Sequence, residues 1–144
     1  MLADGARIGQ DNKLYIFGGQ WDQLWTPTVP TTQKLAVALV IAVPYTDALK
    51  EHTIELILDD QDGKPIGTRI GAVFRPGHPP LTEPGSEVIV PIAMEPPPIP
   101  IPDYGRYNWR IVIDNKPAGD LPMNVRPQQF PPIFPQAAEA DDPS

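Results

Sequence analysis

Between Asp103 and Asp114 the chain reads D-Y-G-R-Y-N-W-R-I-V-I-D, and that stretch limits the possible folds more than any other. At period two, Tyr107, Trp109, Ile111 and Ile113 fall on one side, and Arg106, Asn108, Arg110 and Asp114 on the other. A segment patterned in this way is a half-buried β-strand, apolar face inward and polar face outward. Asp103 and Gly105 belong to the turn that enters it, and Asp114-Asn115-Lys116-Pro117 to the turn that leaves it. A tryptophan at the centre of the inward face needs a thick apolar layer opposite, so a second sheet is required.

The opening D-x-G-x-Y has the spacing of a tyrosine corner, in which a Tyr hydroxyl bonds back to the backbone upstream, as in immunoglobulin-type sandwiches. Further strand patterns agree. Lys13–Phe17 is a short run of strand formers ended by Gly18-Gly19, and Lys34–Val43 is the most apolar segment, with its larger residues at odd positions and a stop at Pro44. Thr53–Asp59 alternates with Ile54, Leu56 and Leu58 inward, and Asp60-Gln61-Asp62-Gly63 turns it into Ile66–Phe74. Glu87–Glu95 carries Val88, Val90, Ile92 and Met94 inward, and Pro91 places it on a sheet edge or at a bulge. Gly119–Arg126 closes the set with Leu121, Met123 and Val125 inward. The expectation is an all-β, immunoglobulin-like, two-sheet antiparallel sandwich of about seven strands over residues 13–126. Residues 1–12 read as a flexible leader, and residues 127–144 as a proline-rich, acidic tail outside the core.

The 21 prolines among 144 residues reinforce the exclusion of helix, being well above the usual ~5%. Pro96–Pro102 reads as a stiff, extended crossover between sheets. A formal charge of −7 repels phosphate backbones, so nucleic acid is not an expected partner. The absence of cysteine removes disulfides, thiolate metal sites and cysteine nucleophiles together. No signal-like or membrane-spanning run is present, since the longest apolar stretch is Leu35–Val43. A cytoplasmic protein, with no membrane contact, is the expectation.

Chemistry has little material to work with. Ser86 and Ser144 are the only serines and His52 and His78 the only histidines, all placed in predicted loops or termini, with no nucleophile-elbow spacing. Asp59, Asp60 and Asp62 miss the calcium-loop pattern because Leu58 occupies its first position. No enzyme, cofactor or metal is therefore expected. Arg106, Asn108 and Arg110 share an outward face with Asp120, Asn124 and Arg126; cross-strand pairing with Asp120 and Asp114 is a simpler reading of that strip than anion binding.

Candidate binding residues are aromatic and apolar. Trp21 and Trp25, in the Gln20–Pro30 stretch, either plug the open end of the core or form a stacking platform for a sugar or other small ligand. Phe130, Ile133 and Phe134 in the tail favour burial by about 1.5–3 kcal/mol each, on their own domain or on a partner. A non-enzymatic protein-interaction or structural module follows, with a protein partner or self-association through the Trp21–Pro30 loop, the edge strand Glu87–Glu95 or the tail. A small-ligand or carbohydrate-binding module using the two tryptophans is the alternative.

The segments L-Y-I-F-G-G-Q-W-D-Q-L at 14–24, V-P-Y at 43–45, D-Q-D-G at 60–63 and Y-G-R-Y-N-W-R-I-V-I-D at 104–114 resemble a family of small uncharacterised bacterial proteins with an immunoglobulin-like sandwich. The resemblance covers residues 13–126 and implies a domain without assigned activity, so no catalytic residue is carried across. The proline crossover and the acidic tail have no counterpart in it.

Overall fold

The computed structural model describes residues 1–79 and 83–128. The expected tail sites Phe130, Ile133 and Phe134 lie outside the described residues. The fold is all-β, with eleven strands among the described residues. These are β1 (Leu2–Ile8), β2 (Leu14–Trp21), β3 (Gln23–Thr26), β4 (Thr31–Gln33), β5 (Ala36–Val43), β6 (His52–Asp59), β7 (Pro65–Phe74), β8 (Val88–Met94), β9 (Ile99–Ile101), β10 (Gly105–Ile113) and β11 (Lys116–Pro127). A single 3-10 turn, Tyr45–Asp47, lies between β5 and β6. No helix among the described residues is long and apolar enough to cross a membrane.

Two larger sheets share one core. Their orders are β2-β1-β5-β8 and β3-β11-β10-β6-β7, and β4 pairs with β9 in a separate short ladder. The main core draws Leu2, Val37 and Met94 from the first sheet, and Leu56, Leu58, Tyr107, Trp109 and Met123 from the second. Trp109 is 0% exposed and is the largest fully buried side chain. The alternation read in β10 is realised, with Tyr107, Trp109 and Ile111 buried and Arg106 exposed. The Tyr107 hydroxyl donates to the Asp103 carbonyl at 2.8 Å and accepts from the Asp103 N–H at 3.2 Å, which closes the corner. At the other end, Asp114 and Asn115 both have positive φ, as a two-residue hairpin turn demands. The β6–β7 turn closes as read, with Gly63 at φ +79. The Asp60 carboxylate accepts the N–H groups of Asp62 and Lys64 there.

Several expectations are overturned. Residues 2–8 are not a loose leader: they form β1, which lies between β2 and β5. Leu2 and Ala3 are buried, and Ala3 and Ala6 pack with Ala36 and Ala38 in a second, small core. Alanines carry little hydrophobic signal, but their small size lets adjacent strands and side chains close tightly. Strand β2 is not stopped at Gly18-Gly19; it runs on to Trp21 with Gly18 at φ +55. Asp4 lies so close that a Cβ at Gly18 would sit 2.2 Å from its carboxylate oxygen. The residues after Trp21 are not all loop, because β3 pairs with β11, and does so in parallel rather than antiparallel fashion. The crossover Pro96–Pro102 contains β9, whose Ile99 and Ile101 are 3% and 0% exposed, so it supplies core as well as stiffness. Strand β8 lies at a sheet edge with Pro91 paired to Val40, where a missing N–H is tolerated.

Candidate interaction surface

The two outer faces differ in kind. On the five-stranded sheet several polar groups bond one another. Arg110 makes a two-pronged contact with Asp59, Nε to Oδ2 at 2.6 Å and a terminal nitrogen to Oδ1 at 3.2 Å. Asn108 donates to Asp120 at 2.8 Å, Arg69 to Glu55 at 3.2 Å and Arg126 to Gln23 at 3.2 Å. Cross-strand pairing with Asp120 is thus realised by Asn108, whereas Arg110 bonds Asp59 rather than Asp120 or Asp114. Strand β10 lies between β6 and β11, with Asn108 directly opposite Asp59 on one side and Arg110 directly opposite Asp120 on the other, and the bonds that form are the two diagonals.

Asp59 is also not the outward, solvated residue that alternation suggests, since it is 4% exposed. Taking away Arg110 would leave that carboxylate buried and unpaired, a costly state. Arg69, by contrast, pairs with a Glu55 that water reaches freely. Arg110→Ala should therefore lower the urea midpoint measurably, whereas Arg69→Ala should leave it where it was. Equal midpoints for the two variants would mean that Asp59 is solvated.

On the four-stranded sheet, β5 and β8 are apolar on both faces. Val37, Leu39, Ile41, Ile92 and Met94 point into the core. Between them Val40, Ala42, Ile89 and Pro91 point away from it, paired as Val40↔Pro91 and Ala42↔Ile89. Val40 is 62% and Ile89 58% exposed. No polar or charged side chain occurs anywhere in residues 35–43 or 88–94. A continuous apolar run reads as a strand covered on both faces, and that reading hid the bare outer half of this pair. The signal available was the lack of any polar alternation next to an edge-marking proline.

The two tryptophans go to different places. Trp21, opposite Leu2, packs against the main core. Trp25, opposite Arg126 in the other sheet, points outward and is 37% exposed. They do not form one platform. His52, expected in a loop, is instead a buried residue of β6. Its Nδ1 lies 2.7 Å from the Asp114 carboxylate, as in half of a catalytic triad. Its Nε2 lies 2.7 Å from the Asp47 carbonyl oxygen, so the nitrogen that would activate a nucleophile is already engaged. His78 likewise spends Nε2 on the Tyr45 carbonyl, at 3.0 Å.

No curated protein matches the chain. Among solved structures it is similar to the Pseudomonas fluorescens alkylpurine DNA glycosylase AlkC bound to DNA containing an abasic site analog, at 10% identity and a TM-score of 0.39. That match covers 73% of this chain and 27% of the other, so the chain spans about a quarter of that structure's length. A likeness at this level carries no argument. A family model matches from residue 1 to residue 126, β1 included. The chain therefore belongs to that family, a family of unknown function (DUF6941).

Proposed function

We propose that this chain is a non-enzymatic interaction module of the bacterial cytoplasm, built on an immunoglobulin-like sandwich, that engages a protein partner or a second copy through the outer face of β5 and β8. The observation that carries the reading is the apolar outer face formed by exposed Val40, Ala42 and Ile89 with half-buried Pro91, with no charge among the strands that bear it. Contiguous apolar surface on a sheet is the property that distinguishes a docking face from ordinary solvated surface. The architecture supports the same reading: the corner at Tyr107 and the pairing of β3 with the last strand in parallel are compatible with a sandwich of that class. Trp21 packs against the core while Trp25 points outward from the other sheet, so the two indoles do not supply a shared sugar platform.

The double variant Val40→Lys, Ile89→Lys tests the proposal. Both side chains face solvent, so stability should change by no more than about 0.5 kcal/mol per site. Association should be lost, read by sedimentation velocity over a concentration series and by co-purification from the native host. If the wild-type protein is monomeric and both forms recover the same proteins, this face is not the interface.

A further inference from the structure

Both histidines of the chain converge on one end of the molecule. The 3-10 turn Tyr45–Asp47 connects the two sheets there, and each imidazole bonds one of its carbonyls, His52 that of Asp47 and His78 that of Tyr45. His78 also stacks on Tyr45, ring centroids 4.0 Å apart, and His52 on Phe74 of β7, 5.5 Å apart. Gly77 donates to the Ala48 carbonyl at 2.7 Å, so the segment after β7 rests on the same turn. On its other side His52 meets the β10–β11 turn, where Asp114 accepts both from Nδ1 and from the Thr53 N–H at 3.0 Å.

The ring nitrogens of His52 therefore face two acceptors, a carboxylate and a carbonyl oxygen, both at 2.7 Å. A neutral imidazole has one N–H and can satisfy only one of them; the imidazolium satisfies both. We propose that His52 is a proton-operated clasp: charged, it ties the 3-10 turn to the β10–β11 hairpin, and on losing a proton it lets go of the turn. The proton lost is the one on Nε2, because the charge-assisted bond from Nδ1 to Asp114 is the stronger of the two. The Nε2 lone pair then faces the Asp47 carbonyl oxygen, and that contact turns repulsive.

The surroundings favour the charged form. Asp114 reaches the ring from the hairpin turn, with Lys116 near it, and Asp47 from the 3-10 turn, with Lys50 bonded to its carboxylate at 3.3 Å; β7 contributes only the uncharged Phe74 ring. The bond to Asp114, then that to the Asp47 carbonyl, hold His52 above the ordinary histidine range in spite of burial. The same bond holds Asp114 below the usual carboxylate range. A histidine whose proton is held more tightly in the folded state stabilises fully below its unfolded value of about 6.5. That contribution is lost as pH rises from the unfolded value through the folded one, because across that interval the folded state holds a proton that the unfolded state has released.

The test is an NMR titration of the full chain from pH 5 to 9, following the two imidazole signals and the amides of Ala48 and Lys50, with urea unfolding at the same pH values. His52 should titrate above 6.5, the Ala48 and Lys50 amides should shift with the same midpoint, and the urea midpoint should fall across that range. Asp114→Asn keeps a residue suited to the positive φ of that position but removes the carboxylate. It should bring the His52 titration down and flatten the stability profile. A His52 midpoint at or below 6.5 in the wild type, or turn amides that ignore its titration, overturns the clasp.

Discussion

Replacing Trp109 with alanine should leave the domain barely folded. The indole is 0% exposed and shares one core cluster with residues of both large sheets, among them Leu2, Val37, Leu56, Leu58 and Met123. Truncation removes the transfer free energy of the ring and leaves a cavity that strands hydrogen-bonded on both sides can close only partly. For a buried tryptophan the combined cost is about 3–5 kcal/mol. A domain of this size has only about 5–15 kcal/mol in total. The indole N–H finds no acceptor among the described residues, which offsets part of what burial contributes. The expected result is a large drop in the urea midpoint, with loss of the near-ultraviolet circular-dichroism signal at moderate temperature. A Trp109→Ala variant as stable as the parent would mean that the sheets do not meet over this residue.

Strand β10 was legible because each of its features carries a strong local signal. Large apolar residues alternate with polar ones, the corner tyrosine stands four residues after Asp103, and Asp114-Asn115 suits a tight turn. The β6–β7 hairpin and the edge position of β8 were legible for the same reason, through Asp62-Gly63 and Pro91. What escaped depends on partners far along the chain. The pairing of Arg110 with Asp59 runs diagonally between β10 and β6, and alternation within one strand says nothing about such cross-strand neighbours. Strand β9 is hidden by its prolines, although Ile99 and Ile101 are buried between them. His52 reads as a loop residue because the two groups that hold it, Asp114 and the Asp47 carbonyl, come from separate turns. The outer face of β5 and β8 escaped for the opposite reason: its residues look like core, and only the sheet order reveals that part of this face is uncovered.

Removing residues 1–8 should abolish cooperative folding, although those residues have the composition of a dispensable leader. Strand β1 stands between β2 and β5, and β2 is bonded to the four-stranded sheet through β1 alone. Without β1, the six residue pairs that hold β2 from Leu14 to Trp21 are lost, and β5 acquires a bare edge. The anchor is Leu2, 2% exposed, within the same core cluster as Trp109. Leu2→Ala on its own should cost about 2–5 kcal/mol, the range for a buried leucine. The alanines add a constraint of a different kind. Ala3, Ala6, Ala36 and Ala38 are all at most 3% exposed, so each occupies space in which a larger side chain would force neighbouring elements apart. Ala36→Leu should therefore destabilise as well, despite adding apolar surface. Urea unfolding monitored by circular dichroism separates the cases. A truncated chain that unfolds with the parent's midpoint would show residues 1–8 to be an appendage. A broad, early transition, accompanied by a lower midpoint for both Leu2→Ala and Ala36→Leu, is the result that a central strand requires.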